Sequence, residues 1–107
     1  MPKLRYSVAV DSDSGISVDV EVPGYSREDI SVEIKPYVSE IFGLPIEVKG
    51  LHILANNDKR GKVEGIIEIE NPSRFNIAEV SAETINGLLT IKLPYSKKYT
   101  SVTIPVM

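Results

Sequence analysis

Three groupings in this sequence carry residue types that do chemistry, and each has a plainer reading. Asp11-Ser12-Asp13-Ser14-Gly15 opens like a calcium loop, with acidic side chains two apart. Such a loop needs glycine at its sixth position and a bidentate glutamate at its twelfth. Here those positions hold Ile16 and Val22, so the stretch reads as a polar hairpin turn, not a metal site. His52 is the single histidine. No Ser, Cys or Asp stands near it in sequence to make a nucleophile–base pair, so it reads as a surface or rim imidazole. Lys59-Arg60-Gly61-Lys62 reads as a solvated connection rather than a phosphate cradle. There is no cysteine, which excludes disulfides and thiolate metal ligands. With no nucleophile–base grouping and no phosphate loop, the chain reads as a non-enzyme without a cofactor.

Bulk properties narrow the class further. At 107 residues the chain suits one domain with a modest core. The formal net charge is only -3, with both signs interspersed, which argues against nucleic acid or an anionic membrane as partner. No apolar run has the length of a membrane span, and no signal-peptide core opens the chain, so a cytoplasmic location is expected. Many β-branched residues and no Trp favour sheet over helix.

The elements follow from period-2 alternation. Tyr6, Val8 and Val10 mark one strand, and Ile16, Val18, Val20 and Val22 mark the cleanest. Pro23-Gly24 ends that strand, and Ile30, Val32 and Ile34 begin another, which Pro36 is expected to break. Tyr37 to Lys49 is expected to be a long loop or short extra strand over one sheet. The sharper reading makes it an exposed apolar patch for a partner or client, centred on Ile41, Phe42 and Leu44. Leu51–Leu54 and Val63–Glu70 read as strands, with Val63, Gly65, Ile67 and Ile69 on one face. Between Ser73 and Val80 a helical turn and a structured loop stay open. The strongest turn signal is Asn86-Gly87, suited to a two-residue type I′ hairpin. Leu89, Ile91 and Leu93 alternate after it until Pro94. The tail ends in Ile104-Pro105-Val106, either a frayed edge strand or a strand-like ligand for an apolar groove. Seven or eight short strands without a convincing helix imply an all-β fold, an antiparallel β-sandwich.

Three of these signals together resemble the α-crystallin domain of small heat-shock proteins. Val20-Glu21-Val22-Pro23-Gly24-Tyr25-Ser26-Arg27-Glu28-Asp29-Ile30-Ser31-Val32 is similar to the family's strand, Pro-Gly turn, polar pair and next strand. Ala82 to Pro94 resembles its A-x-x-x-N-G-V-L-x-V-x-V-P signature, with Pro72 at the expected distance before it. Ile104-Pro105-Val106 resembles its C-terminal I-x-I/V anchor.

The resemblance implies an immunoglobulin-like β-sandwich and an ATP-independent holdase that binds partly unfolded client proteins. It implies a homodimer that assembles into higher oligomers through its tail. The expected division is a vestigial N-terminal segment over 1–5, the domain over 6–94 and the tail over 95–107. Ile104 and Val106 would be the anchor, and Val32, Ile34, Val80 and Ala82 the candidates for its groove. From Pro94 to Ile104 the chain can span up to ~35 Å, enough to reach a neighbour. The short 55–62 interval and long 36–50 interval depart from bacterial and plant members, whose swapped strand lies in the former. A p23-like co-chaperone or an assembly module on the same sandwich is the alternative.

Overall fold

The described residues of the computed structural model, 4–96 and 104–106 without the side chain of Ile41, form seven antiparallel strands. These are β1 (Arg5–Asp11), β2 (Gly15–Glu21), β3 (Ile30–Ile41), β4 (Leu44–Asn57), β5 (Gly61–Ile69), β6 (Ser81–Ile85) and β7 (Leu88–Pro94). One sheet has the order β1-β2-β7-β6 and the other β3-β4-β5. The expected β-sandwich is therefore the observed one.

Alternation decides what is buried. Val18 and Val20 of β2 pair with Ile91 and Leu89 of β7, and all four are buried. Leu51, Ile53 and Ala55 of β4 face them from the second sheet with Ile67 and Ile69 of β5. Asn86 and Gly87 have φ of 52° and 79°, the left-handed pair a type I′ turn requires. The Asp11 to Gly15 stretch turns β1 into β2, with the Asp13 N–H donating to the Asp11 carboxylate at 3.0 Å. That donor is the main reason the Asp11 carboxyl lies below its ordinary range.

The two long motifs, separated in sequence, touch. The Val22 N–H donates to the Gly87 carbonyl at 2.8 Å, and a Cβ on Gly87 would stand 3.2 Å from Pro23 Cα. The hairpin turn is thus seated on the Pro-Gly turn. Beyond it, the Tyr25 hydroxyl donates toward the Arg60 and Gly61 carbonyls at 3.3 and 3.1 Å. Residues 72–79 contain two 3₁₀ turns, Pro72–Arg74 and Ile77–Glu79, so both readings of that stretch hold in part.

One expectation is overturned. Pro36 does not break its strand, and residues 37–49 are neither a loop nor a separate strand. β3 runs through Pro36, paired with Lys49, and turns at Phe42-Gly43 into β4 with unbroken register from Ile30↔Ala55 to Ile41↔Leu44. Among the described residues β3 has only β4 as neighbour, so a missing N–H on its free side breaks no ladder bond. Pro45 is tolerated likewise, because β5 pairs with β4 only from Lys49 onward. The result is a two-stranded arm extending from the sandwich.

Ile53 has no exposed surface, whereas Ile85, on β6, is 58% exposed. Ile53→Ala is expected to cost about 2–5 kcal/mol in urea unfolding, and Ile85→Ala to stay within about 0.5 kcal/mol.

Candidate functional site: an open groove between two edge strands

The groove begins with a mismatch of widths. β1 lies over β5: Leu4, just before β1, fills the space over Gly65, and Val8 shares a cleft of about 130 Å³ with Ile67 and Ile69. The strand orders then place β6 and β3, the other two edges, on the opposite side of the sandwich. Among the described residues each has one neighbour and one free backbone edge.

Register fixes which side chains look into the space between them. Val32 and Ile34 pair with Ile53 and Leu51, which are buried, so both face the core. They are half-buried and pack against it. Ala82 pairs with the fully buried Ile91 and faces the same way, yet it is exposed. A side chain that points inward and still meets solvent marks an uncovered edge. Val80, just before β6, is half-buried against the core. The structure therefore brings Val32, Ile34, Val80 and Ala82 to one open side. It adds Thr84, which pairs with buried Leu89 and faces inward. The Val80-Ala82-Thr84 alternation was the signal for Thr84, hidden because neither Ala nor Thr reads as core.

The β3 wall is positioned by a small polar network. Asn57 donates from Nδ2 to the Gly24 carbonyl at 2.9 Å and to Asp29 Oδ2 at 3.1 Å. The same carboxylate accepts from the Ser26 backbone N–H at 2.9 Å and the Ser26 hydroxyl at 3.1 Å. Asp29 is the last residue before β3, so these bonds tie the start of that strand to the β4–β5 turn.

The tail leaves from a fixed point. Phe75 and Tyr95 stack at 5.5 Å with the Arg74 guanidinium 4.9 Å above the Phe75 ring. The Ser96 N–H donates to the Arg74 carbonyl at 2.8 Å. Ile104 and Val106 are 80% and 97% exposed, so neither is seated in the groove of its own chain. Residues 97–103, the spacer, lie outside the described residues, as do 1–3. Phe42 and Leu44 are exposed at the far end of the arm, away from the groove residues; the Ile41 side chain lies outside the described residues.

His52 is half-buried on the outer face of its sheet, with Nε2 2.6 Å from Glu64 Oε2. The histidine contact, followed by Lys62, holds the Glu64 carboxyl below its ordinary range. It is a cross-strand pair on a surface. Among the described residues no three His, Cys, Asp or Glu side chains gather to hold a metal ion, and no helix is long and apolar enough to cross a membrane.

The architecture is that of a small heat-shock β-sandwich. Heat shock protein 16.0 from Schizosaccharomyces pombe superimposes with a TM-score of 0.67 over 100% of this chain and 99% of that one, at 23% identity. A profile of the Hsp20/alpha crystallin family matches residues 8–106, and the chain belongs to that family. Small heat shock protein C2 of Rickettsia felis is 31% identical over 86 residues, 78% of this chain and 55% of its own length. Small heat shock protein hspI, mitochondrial, of Dictyostelium discoideum is 27% identical over 101 residues, 90% of this chain and 45% of its own. The chain thus spans about half the length of these curated relatives. Chaperone action, oligomer formation and client binding are general to the family.

The Asp29 carboxyl lies below its ordinary 3.8, first because the Ser26 N–H donates to it and then because Asn57 does. A carboxylate favoured by the fold stabilises it above the unfolded pKa, and loses that effect as pH falls through the lower folded value. Asp29→Asn is therefore expected to lower the urea midpoint at neutral pH. The difference from wild type should shrink in acid below 3.8; an unchanged gap there would contradict this role.

Proposed function

We propose that this chain is an ATP-independent holdase without catalytic activity, which binds partly unfolded proteins and assembles by seating Ile104 and Val106 in the β3–β6 groove of a neighbouring copy. The observation that supports it most directly is Ala82, inward-facing opposite Ile91 yet open to solvent. An apolar slot with free strand edges on both sides suits an extended segment carrying two apolar side chains two residues apart. Ile104 and Val106 have that spacing, and Pro105 between them donates no hydrogen bond.

Magnitudes suit an exchangeable link. Full burial contributes about 1.5–3 kcal/mol for each of the two side chains. Ordering spacer residues opposes this at about 1–2 kcal/mol each. The pinning of Ser96 shortens the reach: eight residues to Ile104 span at most about 29 Å. That is still enough to cross to a neighbour.

Two measurements test the reading. The full chain should suppress aggregation of a heat- or reductant-denatured client at near-stoichiometric ratios without ATP; no suppression over a wide ratio range would sink the holdase. In light scattering, Ile104→Gly with Val106→Gly should lower the assembled mass, and Ala82→Glu in the groove wall should do the same. An unchanged mass in both would refute the tail–groove contact.

A further inference from the structure

β1 is an open strand edge that carries none of the usual guards. Its seven residues pair with β2 in unbroken register from Arg5↔Glu21 to Asp11↔Gly15. β2 is its only neighbour among the described residues. Edge strands are normally blunted by proline, lysine, a bulge or an inward-pointing charge. Arg5-Tyr6-Ser7-Val8-Ala9-Val10-Asp11 has no proline, no lysine and no bulge, and both its charges lie on the outer face. The other edges differ. β3 contains Pro36 and borders the groove with β6, and Leu4 lies over Gly65 of β5.

The residue types of β1 are arranged symmetrically about Val8, with the charges reversed. One residue out stand Ser7 and Ala9, both small; two out, Tyr6 and Val10, both apolar. Three out stand Arg5 and Asp11, of opposite sign. Tyr6, Val8 and Val10 face inward beside Val20, Val18 and Ile16, yet they are 53, 50 and 68% exposed. Arg5 shares a cleft with Arg60. The ion pairs among the described residues are His52–Glu64 and Lys62–Glu64, so neither arginine has one. The other end of the strand carries Asp11, with Asp13 in the turn beyond it.

We infer that β1 is a self-association edge, pairing antiparallel with β1 of a second copy of the chain across a twofold axis at Val8. The order of residues along the strand names this occupant. A twofold contact sets each residue against the one equally far from the axis on the other copy. Arg5 of each copy then meets Asp11 of the other, Tyr6 meets Val10, Ser7 meets Ala9, and Val8 meets itself. Opposite charges and aromatic–β-branched pairs are favoured across strands, while like charges directly opposed are not. No like charges are opposed here. A slip of one residue would turn each inward side chain against an outward one. The next registers centre on Ser7 or Ala9 and set neither charge against its opposite.

The neighbouring strands agree with this register. On the outer face Arg5 comes to lie between Glu21 of its own β2 and Asp11 of the second copy. Asp19, beside Ser7, already accepts from the Thr90 hydroxyl at 2.8 Å. On the inner face Val20 and Tyr6 continue into Val10 and Ile16 of the second copy as one apolar row. Glu68, Glu70 and Arg74 share the cleft under Val8; they belong to the second layer and carry both signs. The free backbone groups of β1 also gain partners, about six to eight hydrogen bonds over the strand. Neither Ile104-Pro105-Val106 nor the arm edge from Pro36 to Ile41 has this charge order, and each lacks an N–H at its proline. The contact uses neither the β3–β6 groove nor the tail.

The chain has no cysteine, so introduced ones report cleanly. Full-length Ser7→Cys and Ala9→Cys each replace a small, exposed outer-face residue. The two variants, given different tags, are mixed in equal amounts, oxidised and run unreduced. Directly opposed Cβ atoms lie about 4.5–5.5 Å apart and diagonal ones about 7–8 Å, and a disulfide needs about 4 Å. The mixed dimer should exceed the sum of the two homodimers several-fold, where chance pairing would make them equal. Asp11→Arg in both variants should cut that yield several-fold, and adding Arg5→Asp should restore it. Asp11 also accepts the Asp13 N–H in its turn. The double variant keeps that loss, so restoration reports the charge pair alone. A mixed yield no greater than the homodimer sum would overturn the inference, as would a loss that Arg5→Asp does not restore. Preferential capture of Ser7→Cys by Ser39→Cys, or by a denatured client with one cysteine, would overturn it too, assigning the edge to the arm or to clients. A chain that suppresses no aggregation would still show the mixed dimer, so this inference and the holdase reading fail separately.

Discussion

Four strands stacked on three leave uncovered about one inter-strand spacing, near 4.8 Å of sheet width, in addition to whatever the edges expose. The surplus is divided between the two ends of the wider sheet. At β1 it leaves Tyr6, Val8 and Val10 half to two-thirds exposed although they pair with Val20, Val18 and Ile16 on the core side. At β6 it leaves Ala82 open beside Ile91. The centre is closed, because β2, β7 and β4 each have two neighbours and fill the space between the sheets. The core thus sets where those open edges lie.

The Pro-Gly turn and the Asn-Gly hairpin are usually separate matters of local geometry. Here the Val22–Gly87 hydrogen bond and the packing of Gly87 on Pro23 join them. The Gly24–Asn57–Asp29–Ser26 network then carries that fixed corner to the start of β3. Both walls of the groove are therefore referenced to one corner, and the tail is referenced to the other end of β7 by the Phe75–Tyr95 stack. The walls of the groove are thus ordered by the fold before anything enters them.

Much of the fold was legible in the sequence because burial and periodicity coincide in this chain. Ile16 to Val22 and Leu89 to Leu93 alternate cleanly, and they form the paired centre of one sheet. Asn86-Gly87 named its own turn. The arm was not legible. Pro36, Gly43 and Pro45 are strand breakers by local rule, and only an edge position makes them harmless. The apolar residues of the arm also lie on the face opposite to those of Ile30 to Ile34, so no single alternating pattern spans β3.

The sequence by itself determined the strands outside the arm, the hairpin turn, the family and the apolar character of Ile104 and Val106, since each rests on local spacing and residue type. It could not determine that Ala82 and Thr84 face an open side or that residues 36–49 pair as an arm. Those depend on which strands lack neighbours and on cross-strand register. Both are settled by pairings between residues as far apart as Val20 and Leu89. Exposure at an edge is a property of the assembled layers, and no local pattern carries it.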